Sequence, residues 1–193
     1  MSLRMPAVLR GIGLLAIFRA EGFSWVGGSV GDVLASLAPL LGFPVALALL
    51  LILAGVPRAL ATPLAAIAMF LAPLVASEAL ARLWGREAEW GRYASSYNWC
   101  QWPLAVAALL AVLAASLLVA LGLQPAIAGV AAMLAMSLYQ LVLHWFLARR
   151  GLGVSGLRAV VLTVVADGSS AVILAIFMAL SGAADHAANG SAG

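Results

Sequence analysis

Lysine is absent from this 193-residue chain, cysteine occurs once, histidine twice, and charged residues make up only 9%. Each scarcity closes off a class of protein. A lone cysteine, Cys100, allows neither an intrachain disulfide nor a cysteine metal cluster. There is no histidine cluster for a metal, no phosphate-binding glycine loop and no carboxylate pair at catalytic spacing, so the sequence carries no cofactor site and no sign of an enzyme. No alternation of aromatic and basic residues marks a nucleic-acid binder. A soluble globule is about a quarter charged and about half apolar. This chain, 65% hydrophobic with a mean hydropathy of +1.13, is composed as an integral membrane protein. Missing lysine beside abundant Ala, Gly and Arg points to a GC-rich bacterial genome.

What the chain does contain is long apolar runs, at 33–55, 60–82, 103–122, 126–147 and 158–180. Each approaches the ~20 residues that cross a ~30 Å hydrocarbon layer as helix. The predicted fold is all-α, a polytopic membrane bundle of five transmembrane helices with an N-terminal interfacial helix. All ten basic residues are arginines. With the amino terminus in the cytoplasm, Arg4, Arg10, Arg19, Arg82, Arg86, Arg92, Arg149, Arg150 and Arg158 lie inside and Arg58 alone outside, in keeping with the positive-inside bias. That orientation places the carboxy terminus in the periplasm, across a bacterial inner membrane, and leaves Cys100 a reduced cytoplasmic thiol. The net charge of +3 then speaks of anionic inner-leaflet lipids and not of nucleic acid.

Three regions follow: an interfacial segment over 1–32, the five-helix domain over 33–181, and a small polar tail over 182–193, predicted to be disordered. Residues 1–20 resemble a signal peptide, but Arg19 and Glu21 follow the apolar run and no cleavage site closes it, so an uncleaved interfacial helix is expected. Residues 22–32 read as a glycine-rich connector with Asp32 as N-cap of the first span. Pro39, Pro44, Pro63 and Pro73 remove backbone donors inside the first two spans. Both spans contain Leu-Ala-Pro-Leu, at 37–40 and 71–74, which reads either as an inverted repeat around a transport site or as coincidence in an Ala/Leu-rich chain. Ala107, Ala111 and Ala115, with Ala128 and Ala132 across the Gly122–Pro125 turn, form small-residue edges suited to close helix approach.

The connection 83–102 gathers Arg86, Trp90, Arg92, Tyr93, Tyr97, Asn98, Trp99 and Trp102. Indole rings favour the headgroup layer, so this stretch is expected to lie as an interfacial helix with Trp90, Tyr93 and Tyr97 on one face. Its two readings are a docking platform for a partner or anionic lipid, and a belt that fixes depth.

Asp167 stands about ten residues into the last span, near the bilayer centre. A charge there costs ~2.5–3.5 kcal/mol, so the side chain must be protonated, paired or facing a wet interior. Ser137, Gln140 and His144 form one stripe on the fourth span, and Glu78, Thr163 and Asp167 lie at matching depths. These six residues would either make a polar track for protons or cations, or serve as interhelical hydrogen bonds and snorkelling groups. Gly153-Val-Ser-Gly156 resembles the Gly-x-Ser-Gly of rhomboid proteases, but no later span supplies a histidine.

Tyr97-Asn98-Trp99 at the opening of the third span, the Leu152-Gly153 turn and Asp167 in the last span resemble small alphaproteobacterial inner-membrane proteins, and the five-span layout is similar to Yip1-domain proteins. The chain does not carry the Asp-Leu-Tyr-Gly-Pro motif of eukaryotic Yip1 proteins. The resemblance implies a non-enzymatic membrane protein. On these grounds the expected role is a scaffold, assembly factor or accessory subunit, with a membrane-protein partner or a second copy of itself. The alternative is a small oligomeric proton-coupled carrier using Asp167.

Overall fold

The computed structural model describes residues 5–190; Arg4 and residues 191–193 lie outside the described residues, as do the side chains of Arg58 and of 181–190. The described chain is helical: α1 (Met5–Ala16), α2 (Val30–Leu53), α3 (Ala61–Leu83), α4 (Glu87–Ala120), α5 (Pro125–Gly151) and α6 (Gly156–Gly190), with 3-10 turns at Ala20–Trp25 and Pro57–Leu60. Among the described residues, α2 to α6 are the five helices long and apolar enough to cross a membrane, which makes this a multi-pass integral membrane protein.

Local chemistry explains where the helices start and stop. The Ser29 backbone N–H and hydroxyl both donate to Asp32 Oδ2, at 3.0 and 2.7 Å, and the Asp32 N–H donates back to Ser29 Oγ at 3.2 Å. This is a reciprocal capping box that satisfies two orphan donors. The cap of α2 is therefore Ser29, and Asp32, expected in that role, lies inside the first turn as its partner. Pro125 opens α5, where a missing N–H costs nothing. α4 ends on Gly122 at φ 98°, with the N–H groups of Gly122 and Leu123 donating to Val119 O and Leu118 O. α1 ends in the same bond pattern, but on Phe18 at φ 61°. A side chain in that conformation costs about 1–2 kcal/mol. The Phe18 ring offsets it by standing edge-on to Tyr139 and Phe146, with centroids 5.9 and 5.8 Å away. At the other terminus α6 runs on to Gly190 where an irregular tail is predicted from 182. The alanines at 183, 184, 187 and 188 have the highest intrinsic helix propensity.

The chain divides into two compact units. Unit 1 comprises the chain up to Leu37 with Arg86–Val160; unit 2 comprises Ala38–Gly85 with the chain from Val161 onward. In unit 1, α4 and α5 form an antiparallel hairpin, and α1 packs on both. The buried face of α1 is Val8, Gly11, Ile12 and Leu15, at spacings of three and four, so its apolar stripe covers protein. With Phe23, Tyr93, Leu143, Leu147 and Leu152 it makes the unit 1 core. Each such side chain contributes roughly 1.5–3 kcal/mol where burial removes it from water.

In unit 2, Pro63, Pro73, Leu74, Ser77 and Ala81 of α3 are buried, as are Leu162, Thr163 and Ala166 of α6. Pro73 has no N–H to offer the carbonyl one turn earlier, that of Met69. The Ser170 hydroxyl of α6 supplies the missing donor at 2.9 Å. The proline thereby becomes a helix-to-helix connection instead of a break.

Candidate functional site: a buried cap on unit 1

α4 has 34 residues, about 51 Å of helix against a hydrocarbon layer of ~30 Å. Roughly fourteen residues must project beyond it, and the arginine-rich, aromatic start of the helix is the part suited to do so. There, every residue from Tyr93 to Cys100 is buried. Only a helix surrounded on all sides shows this over two turns.

The surroundings come from three directions. On one side the His144 ring of α5 lies against Tyr97, centroids 4.5 Å apart, and Tyr97 is followed by Tyr93 at 5.9 Å. On another, Asn98 donates through Nδ2 to Ser36 Oγ of α2 at 3.0 Å, and the Ser36 hydroxyl passes its own proton to Val33 O at 2.7 Å. α1 closes a third side and is tied to α5 by Tyr139, whose hydroxyl donates to Ala16 O at 3.0 Å, a carbonyl at the open end of α1.

Glycine lets the backbones meet. A Cβ on Gly22 would come within 2.6 Å of Gly11 O, and one on Gly91 would collide with Gly28 O. The glycine-rich connector is thus locked against α1 and α4. Ser95 Oγ, Ser96 Oγ and Trp99 Nε1 are buried in the cap and meet no hydrogen-bond partner among the described residues. Each such donor costs about 1–3 kcal/mol, so the cap is held by packing and close backbone approach more than by a polar network.

This corrects the contact face expected on 83–102. Tyr93, Tyr97, Asn98 and Trp99, expected to face a partner or lipid, are core residues. Aromatic periodicity reports an apolar face but not what covers it, and here α1, α2 and α5 cover it. Of the same group, Arg92 is exposed, Trp90 is half-buried, and Arg86 is half-buried and paired with Glu89 at 3.6 Å.

The residues of the expected polar track fall in both units. Ser137, Gln140 and His144 belong to unit 1, and Glu78, Thr163 and Asp167 to unit 2. Along the α5 stripe only His144 is buried; Gln140 is half-buried and Ser137 is exposed. Thr163 is buried and Asp167 half-buried on α6, whereas Glu78 turns along its own helix to Arg82 as an exposed ion pair. A side chain satisfied four residues away on the surface gains nothing by turning inward. The residues that sequence reasoning missed are Ser36, Ser95 and Ser96, and for Ser170, which lies on the Asp167 face of the last span, it missed the carbonyl served. For Ser170 a signal existed, because a buried proline leaves one identifiable carbonyl in want of a donor.

Aromatic rings and arginines stand at the rim of the cap. Arg10 lies over the Trp25 ring at 4.8 Å and Arg149 over the Trp145 ring at 5.2 Å. Trp145 is held by its Nε1–H donating to Gly156 O at 3.1 Å. Between α4 and α5, farther from the cap, an open groove of about 590 Å³ is lined by Ala108, Ala111, Ala115, Ala128, Ala132 and neighbouring apolar residues. Its one hydroxyl, that of Ser116, is already spent on Val112 O. No protein family, curated protein or solved structure matches this chain.

Proposed function

We propose that this multi-pass membrane protein is a non-enzymatic scaffold, assembly factor or accessory subunit that acts through helix and lipid contacts. It is placed in a bacterial inner membrane with its amino terminus in the cytoplasm. The observation that carries this reading is the uncovered surface of the spans. Only 11, 22, 6, 11 and 17% of the apolar windows of α2 to α6 are buried. In a bilayer, helices associate through small residues and close packing rather than through hydrophobic exclusion. The alanine-lined groove between α4 and α5 is such a surface left open, while the cap of unit 1 is already filled by its own side chains. The likeness to Yip1-domain proteins belongs to the same proposal; Tyr97, Asn98 and Trp99, which carry part of it, are cap residues.

Extraction into native lipid discs followed by mass spectrometry of the intact assembly tests the reading. A membrane-protein partner, or a second copy, at fixed stoichiometry is expected. A monomer carrying lipid alone would overturn it.

The carrier reading is supported by one arrangement in unit 2. Asp167 is half-buried in mid-span, and Thr163, one turn before it, is buried with Oγ1 unpartnered among the described residues. A carrier loses flux in Asp167→Asn and assembles normally; an accessory subunit tolerates that change.

A further inference from the structure

Building on the reading that this chain works through helix and lipid contacts, we propose that unit 1 binds the phosphate of an anionic phospholipid headgroup on Arg10 and Arg149, each laid across a tryptophan ring. Both arginines are exposed. Among the described residues neither Arg10 nor Arg149 takes part in an ion pair, unlike Arg82 with Glu78 and Arg86 with Glu89. A guanidinium with no carboxylate partner keeps its forked N–H donors available, and that fork matches two phosphate oxygens.

The rings are fixed before any lipid arrives. Trp25 is pinned at its root, since a Cβ on Gly11 would stand 2.8 Å from the Trp25 Cβ, and Trp145 is held through its indole N–H. Both pairs belong to unit 1, where Phe23, two residues before Trp25, packs at 6.2 Å against Phe146, the neighbour of Trp145. Each arginine is thereby preorganised, which lowers the entropy lost on binding.

Local charge points the same way. Seven described arginines of unit 1 stand against four carboxylates, and one of the four, Asp32, is occupied by the α2 cap. Indole rings seek the headgroup layer, so the phosphate presented to these arginines is that of a lipid and not of a soluble metabolite.

The test counts lipids bound to the purified full chain by native mass spectrometry, with phosphatidylglycerol and phosphatidylcholine in competition. We expect the wild type to prefer phosphatidylglycerol about thirtyfold, the order of two headgroup-level cations, and Arg10→Gln/Arg149→Gln to lose that preference. Arg19→Gln/Arg150→Gln, which removes the same charge from exposed arginines that lie on no ring, should keep most of it. Arg10→Lys/Arg149→Lys should recover only part, because an ammonium has no fork; this pair decides the matter if the glutamine variant does not fold. Equal loss in both glutamine pairs, full preference in the lysine pair, no preference in the wild type, or displacement of the lipid by inorganic phosphate would each overturn the proposal. The accessory-subunit reading fails separately, on the absence of any partner or second copy in native discs, whatever the lipid count.

Discussion

At position 91 there is no room for a methyl group, because the Gly28 carbonyl occupies the place where it would stand. Gly91→Ala should therefore separate the connector from α4 and cost more than about 3 kcal/mol, at the severe end of single substitutions. Thermal unfolding in detergent would show it as a large drop in midpoint. Gly13→Ala is the control: nothing lies within 4 Å of its Cβ position on α1, and the change should stabilise by about 0.5–1 kcal/mol. Ser29→Ala removes the α2 capping box and should cost about 1 kcal/mol in the same assay. Glu78→Gln should have little effect, since Glu78 is only half-buried and its partner Arg82 is well exposed. At this scale the sequence was only partly readable. The capping pair sits within four residues and its Ser-x-x-Asp pattern is visible. The Gly28–Gly91 approach joins positions far apart in the chain, so composition alone shows Gly28 only as part of a glycine-rich connector.

Between elements, the most specific contact is the donor that Ser170 returns to the carbonyl released by Pro73. Ser170→Ala should destabilise by about 1–2 kcal/mol, as expected of an interhelical hydrogen bond in a membrane protein. Pro73→Ala restores a donor within α3, so in that background the serine should hardly matter. A double-mutant cycle on unfolding midpoints should show a coupling of about 1 kcal/mol; simple additivity would mean that the hydroxyl does not serve this carbonyl. The five spans were legible because hydrocarbon thickness imposes a length that composition cannot disguise. The start of α4 was not. Its tryptophans, tyrosines and arginines are equally suited to the membrane interface and to a packed aromatic core, and tertiary contacts with Ser36 and His144 decide between them. For the polar stripe on α5, helical spacing aligns Ser137, Gln140 and His144 but does not say how deeply neighbours cover each: Ser137 is exposed, Gln140 half-buried and His144 buried.

For the whole molecule, the contrast is between a cap filled by its own side chains and spans that leave most of their surface to the bilayer or to another chain. Substitutions that enlarge the groove lining, such as Ala111→Leu with Ala132→Leu, should leave unfolding nearly unchanged and reduce recovery of a partner or second copy in native discs. Retention of the complex would place its contact elsewhere. Asp167→Asn should leave that recovery intact. The order in which the chain is made adds a consequence of its own. Residues 93–100 are synthesised about fifty residues before the 143–151 stretch that packs against them. At ~5–20 residues per second this leaves an interval of about 3–10 s, during which Tyr93 and Tyr97 lack the part of their shell that His144 and Gly151 supply. Cys100, the single thiol and wholly enclosed in the finished protein, makes that interval measurable. Nascent chains stalled before residue 143 should react with a small maleimide, completed chains should not, and the change dates the moment at which the cap shuts.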